Sequence, residues 1–206
     1  MESEINPRAS VDDLTAKARI RNAAMDLYAA NGEDRTSMRA VAGAAGVTVG
    51  LLVHHFGTKD GIRDAVEQLV VDYFAQAIAQ APHTGTPHEI AAARDASVAR
   101  MLETHPAVVN YLRRTLLEPG SPHGTLLERL TDLTYSEITK LRNTGIASTR
   151  RRDSSQVIGL VVRQVGQLFL QPMIDAMWEQ LEGPDAPAEG KPVLSVTVHD
   201  TESDTG

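Results

Sequence analysis

His54 and His55 stand side by side with Asp60 and Asp64 close behind, and imidazole with carboxylate is a donor set that can hold a divalent cation. Adjacent side chains on a helix point about 100° apart, so the two rings cannot close on one ion without ligands brought from elsewhere. The residues therefore favour a metal-free pair, with His55 packed beside Phe56 and His54 exposed. Other chemistry-bearing groups do not assemble either. His83, His88, His105 and His123 are scattered without a carboxylate pattern, cysteine is absent, and no G-x-S-x-G, Walker loop or H-E-x-x-H occurs. A protein without cofactor and without catalysis is expected. Arg163 interrupts the apolar run 158–170, where a charge needs an acidic partner, an anionic ligand or water.

The elements that must position these groups read as helices. Ile20, Ala23, Ala24, Leu27 and Tyr28 make one apolar stripe, ended by Asn31 and Gly32, residue types that tolerate the left-handed turn after a helix. Met38, Val41, Ala42 and Ala45 form a short second helix that stops at Gly46. After the N-cap Thr58, apolar residues from Ile62 to Ile78 recur at helical spacing. Thr86, Pro87 and Glu89 make a capping box opening a helix to about Thr104, and Pro106 starts another that breaks at Pro119 and Gly120. Further helices are expected over 122–143 and 153–170, the latter capped by residues 153–156, and Pro172 starts or kinks a last one through Leu181.

At 206 residues and 42 % apolar, the chain can bury one sizeable core or two modest ones sharing helices. Its net charge of −7 argues at first against nucleic acid, but the acids concentrate at the two ends and the stretch 14–63 is mildly basic. No basic segment followed by an apolar run lies near Met1, and contiguous apolar runs such as 157–162 are too short to span a bilayer. A cytoplasmic protein with no membrane association is expected.

Between the second helix and Thr58 the residues pull against each other. Val47, Thr48 and Val49 prefer a strand and Gly50 weakens either element. Yet Ala42 is small enough to let two helices cross, Gly46 supplies the turn, and Val41, Val47 and Leu52 close a small core, which is helix-turn-helix spacing. The expectation is a helix over 48–55. With the flanks included, Arg19-Ile20, Ala23-Ala24, Leu27-Tyr28, Gly32, Thr36-Ser37, Val41-Ala42, Ala45-Gly46-Val47, Gly50, Leu52, His55-Phe56 and Lys59 together resemble the DNA-binding domain of the TetR family of transcriptional repressors, without a gap over about residues 17–62.

The helical period makes the chain all-α, and the resemblance implies a three-helix DNA-binding domain at 15–58 followed by a helical ligand-binding and dimerisation domain at 59–182; the acids at the two ends mark a disordered arm at 1–14 and a flexible acidic tail at 183–206. In the tail, 193–198 has strand composition; a mobile tail is favoured over an extended segment laid on a neighbouring surface. The implied function is a ligand-responsive repressor, a homodimer on a palindromic double-stranded operator, released by a small lipophilic effector. Phosphate contacts map onto Thr36, Ser37, Thr48, His55 and Lys59, and hydroxyls at helix N-termini suit that role. Base-reading positions fall on Val49, Gly50, Leu51 and His54, joined by Arg39. The family's usual tyrosine three residues before the Phe is Val53 here, which removes one hydroxyl. The alternative is a ligand-binding or protein-interaction module that has lost specific DNA binding.

An effector pocket is expected among the middle helices. Its candidate lining is Tyr73, Met101, His105, Tyr111, Tyr135, Arg163, Gln167 and Phe169, and the scarcity of aromatics argues for an aliphatic cavity. The dimer interface is expected on the last two helices, through Val157, Leu160, Val161, Val165 and Leu168 and then Met173, Met177, Trp178 and Leu181, two pairs making a four-helix bundle.

Overall fold

The computed structural model describes residues 15–117, 124–183, 187 and 189–200. Among them every regular element is a helix: α1 (Ala16–Asn31), α2 (Met38–Ala44), α3 (Val49–Phe56), α4 (Lys59–Gln80), α5 (Pro87–Thr104), α6 (Pro106–Leu117), α7 (Gly124–Asn143) and α8 (Asp153–Glu182). The helix starts are chemically explicit. Thr15, Ser37, Thr48 and Thr58 each accept a hydrogen bond from the backbone N–H three residues on, and Thr86 with Glu89 closes the capping box in both directions. The expected arm at 1–14 and the break at 119–120 lie outside the described residues.

Two compact units divide between Arg129 and Leu130. The first unit includes α1 together with the helices through α6, and what ties them together starts from α1. It buries Ile20, Ala24, Met25 and Tyr28, and it packs most extensively on α6, then on α4 and α2. The joint is polar at its edge. Arg114 of α6 donates from Nε to the Ala29 carbonyl at 3.0 Å and from its terminal nitrogen to the Ala30 carbonyl at 2.8 Å, satisfying two of the carbonyls that the end of α1 leaves open. On the other side, Arg63 of α4 pairs with Glu33 at 3.4 Å and with Asp60 at 2.9 Å. Burial lifts the Glu33 carboxyl above its ordinary range, against the pull of Arg63. Deeper in, Glu67 is buried on α4 with Arg129 at 3.5 Å, and Ser97 of α5 donates to the Ala77 carbonyl at 2.7 Å.

The second unit holds most of α7, all of α8 and the described residues beyond it. Arg142 ties the end of α7 to the start of α8 through the Asp153 carboxylate and the Arg151 carbonyl. Two expectations fail here. In place of two helices broken at Pro172 there is one of 30 residues, because a proline removes one backbone hydrogen bond and its neighbours Leu170, Gln171 and Met173 are good helix formers. Its N-cap is Arg152, with no side-chain capping bond, so residues 153–156 do not cap it. By length and composition α8 is also apolar enough to cross a bilayer, which a search for contiguous runs misses because Arg163 and single glutamines interrupt them. Only Val157 of its length is buried. The described part of the tail, 189–200, lies extended against α8, the arrangement not favoured from its sequence.

Among the described glycines, the closest backbone approach joins α3 to α4. A Cβ built on Gly61 would fall well inside van der Waals distance of the Phe56 carbonyl oxygen, a clash no side-chain movement relieves, whereas one on Gly50 meets only Thr48 Oγ1 at 3.9 Å. Gly61→Ala therefore lowers stability by about 1–3 kcal/mol, the usual overpacking cost, and Gly50→Ala raises it by about 0.5–1 kcal/mol, as for any helix glycine with open space. Thermal unfolding of both variants checks the pair, and equal midpoints would refute the tight junction.

Candidate nucleic-acid interface

The axes of α2 and α3 meet at 106°, within the range of helix-turn-helix pairs. The turn is a Schellman motif. Gly46, at φ +64°, donates to the Gly43 carbonyl at 3.2 Å and Val47 donates to the Ala42 carbonyl at 3.0 Å, the two bonds that close a helix through a left-handed residue. Val41, Ala42, Ala45 and Leu52 are buried in the angle between the helices. That lock explains why a segment with strand preferences is helical over Val49–Phe56.

The outer face of this pair carries the candidate contacts. Ser37 and Thr48 cap α2 and α3, their oxygens accepting from Ala40 N–H at 3.1 Å and Leu51 N–H at 3.2 Å, which leaves each hydroxyl hydrogen to donate outward. Arg39, Thr48, Val49, Gly50 and His54 are exposed. Lys59 is half-buried at the first position of α4, and His55 is half-buried with its ring edge-on to Phe56, centroids 6.4 Å apart. The His54 and His55 rings also meet edge-on, at 5.4 Å.

Two expected contacts do not belong to this face in full. Thr36 is 3 % exposed and its hydroxyl donates to the Gly32 carbonyl at 2.8 Å, so it joins the α1–α2 connection instead of offering a phosphate contact. Leu51 is half-buried, turned partly toward the core that Leu52 fills. Residue type alone also undervalues Val53. At 45 % exposed it lies four residues, one helical turn, beyond Val49 at 38 %, so two valines make an apolar ridge on the outer face of α3. Lys17, whose Nζ lies 5.9 Å from the Phe56 ring centre, adds a positive charge beside this face that no motif marks.

The expected ligand residues fall in both units. In the first, Tyr73, Met101 and Tyr111 are buried; Tyr73 packs on the half-buried His105 with ring centres 4.6 Å apart, and His105 Nδ1 lies 2.9 Å from the Met101 carbonyl oxygen. Burial pushes the Tyr111 hydroxyl above its ordinary pKa. In the second unit Tyr135 is exposed, Gln167 is exposed, and Arg163 and Phe169 are half-buried. Two clefts flank Arg114 in the first unit, of about 330 Å³ along Ala29, Ala30, Asn110 and Arg113 and about 240 Å³ along Asn31, Gly32, Asp34 and Arg35, and none of the expected ligand residues lines either. Of the expected interface residues, Val157 is buried within the chain and so is core. Leu160, Val161, Val165, Leu168 and Trp178 are half-buried, and Met173, Met177 and Leu181 are exposed.

Comparison with known proteins agrees with the geometry. Residues 20–66 match the family of bacterial regulatory proteins, tetR family. The HTH-type transcriptional regulatory protein RaaS of Mycobacterium tuberculosis is 33 % identical over 122 residues, covering 58 % of this chain and 54 % of its own. An HTH-type transcriptional repressor of the same organism is 36 % identical over 112 residues, covering 54 % of this chain and 52 % of its own. The chain thus spans about half the length of the curated relatives it matches. In fold it is similar to a tetR family transcription regulator from Shewanella sp. PV-4, with a TM-score of 0.56 at 22 % identity over 81 % of this chain and 89 % of that one. The α2–α3 lock, the helical architecture and the comparisons lead to one conclusion: residues 20–66 match the tetR family of bacterial regulatory proteins, and the chain shares the fold of a regulator of that family.

Proposed function

We propose that the protein is a ligand-responsive transcriptional repressor that seats α3 in the major groove of DNA and works as a homodimer on a palindromic operator. The observation that carries this reading is the outer face of α3, exposed along Thr48, Val49, Gly50, Val53 and His54 and held at a fixed angle by the buried lock with α2. Ser37, Thr48, His55 and Lys59 are the phosphate contacts, with Lys17 adding charge, and they set position without reading sequence. Base reading rests on His54 and Arg39 for hydrogen bonds and on the valine ridge for thymine methyls, so the operator is A/T-leaning. Two-fold symmetry places the half-sites about 34–36 Å apart, one helical turn, or a multiple of it.

The dimer of this reading uses the apolar stripe of α8, where Ile158 and Val162, then Leu170, Met173, Met177 and Leu181, are exposed on either side of Gly166. Its effector is a modest lipophilic molecule taken up beside Tyr73 and Met101, and displacement of α6 is relayed to α1 through Arg114, which holds the end of α1. Release of DNA follows only if the effector favours a geometry that does not fit the operator. A second reading, a ligand-binding or interaction module without specific DNA binding, has the same valine ridge in its favour, since methyl groups carry no hydrogen-bond code.

Selection from a random DNA pool followed by gel retardation at low salt separates the two: a palindrome supports the repressor, and no retardation by pure protein supports the module. With an operator in hand, Lys59→Met weakens binding across all sequences and reduces the salt slope by about 0.9 for each phosphate it leaves unneutralised, whereas His54→Ala relaxes preference at one position per half-site, by about 1–3 kcal/mol. Met173 is 58 % exposed, so Met173→Asp leaves folding intact and yields monomers in sedimentation velocity; an unchanged dimer puts the interface elsewhere.

A further inference from the structure

The tail is seated on α8 in a specific register. Lys191 pairs with Asp175 at 2.9 Å, and the Gln171 side chain holds the tail backbone from both sides, donating to the Pro192 carbonyl at 3.2 Å and accepting from Leu194 N–H at 2.7 Å. Further along, the Arg151 guanidinium donates to the Val198 carbonyl at 3.5 Å and Ser155 Oγ donates to the Asp200 carboxylate at 2.5 Å. Rising tail numbers thus meet falling α8 numbers, so the segment runs antiparallel to the helix. Leu194, Val196 and Val198 are half-buried and Val193, Ser195, Thr197 and His199 exposed, the alternation of an extended chain with one apolar face. At the centre, Val196 Cγ2 lies 2.9 Å from where a Gly166 Cβ would stand and Leu194 Cδ2 lies 3.9 Å from it, so Gly166 is the notch into which the tail fits.

Gly166 sits four residues after Val162 and four before Leu170, in the middle of the exposed apolar stripe. Packed helices approach to about 8–10 Å between axes, which leaves no room for an extended chain between two copies of α8 meeting on that stripe. We propose that residues 191–200 are a displaceable strap that occupies, within one chain, the surface a second copy needs, and thereby sets the strength of dimerisation. This rests on the α8 dimer of the repressor reading. The strap is suited to exchange: its anchors are a few polar contacts at exposed or half-buried positions, and its inward face is only half-buried.

The full chain has no cysteine, and the Val196 Cβ lies 3.8 Å from the ideal Gly166 Cβ, inside the roughly 3.5–4.5 Å range of disulfides. The Gly166→Cys, Val196→Cys double variant can therefore lock the strap down. Non-reducing electrophoresis with light scattering reads both linkage and mass. The expected result is an intrachain disulfide, with oxidised protein monomeric and reduced protein dimeric; the Leu194→Asp, Val196→Asp variant, whose strap cannot seat, dimerises about tenfold more tightly than the natural chain. An interchain disulfide, no disulfide, or a locked form that dimerises as well as the reduced one overturns the strap while leaving the α8 dimer standing. Reduced and natural proteins that are both monomeric overturn the dimer, and the strap with it.

Discussion

The outer face of α3, on which the proposed DNA contact rests, depends on one backbone turn. α3 is eight residues long, has glycine at its second position and buries a single side chain, Leu52, so it lacks the means to be helical by itself. Its shape comes from its two ends. At the first, Gly46 takes a left-handed conformation and closes α2 with a pair of hydrogen bonds that aim the chain back across Ala42. At the second, Gly61 lets α4 lie against the Phe56 carbonyl more closely than any Cβ allows. Between these constraints the helix is held from both ends, so the valines and the glycine on its outer face do not have to hold it.

Rigidity at α3 is worth little unless it reaches the rest of the molecule, and the first unit carries it through charge placed at edges. Arg114 fastens the end of α1 to α6, Arg63 fastens the connection after α1 to α4, and Arg129 meets the buried Glu67. Each is an arginine spanning two elements, and its planar fork holds direction as well as distance. A hydrophobic joint between α1 and α6 would slide; one closed by two directed bonds to carbonyls at a helix end must move as a piece. That is why α1 belongs to the same compact unit as α6.

Local chemistry was legible and long-range geometry was not. The caps at Thr58 and Thr86 and the stop at Gly46 could be read because each is decided within a few residues, and the helical state of α3 because the residues of its lock stand close together in the sequence. Thr36 shows the limit: its type suits phosphate as well as Ser37 does, and only the fold reveals that its hydroxyl points back at Gly32. Gly61 carried no signal, since a glycine demanded by a neighbour's carbonyl looks like any other in the first turn of a helix. Pro172 misled for the opposite reason. It is a strong local breaker, and α8 is long enough to absorb it.

The two ends of the protein solve opposite problems with the same element. α3 is short, and the backbone clamps it so that its exposed face keeps one orientation. α8 is long and needs no clamp, yet most of its apolar surface faces outward, and a stripe of that size in water favours association with whatever apolar surface is nearest. The nearest is the chain's own tail, already tethered and with an alternation of side chains that suits one face. Tethering makes the tail's local concentration independent of protein concentration, whereas a second copy gains with every increase in it. If α8 is the dimer surface, as proposed, a stripe contested by a tethered strap and a free partner passes from one to the other over a concentration range set by the strap, and weakening Gly166's notch or Gln171's grip moves that range.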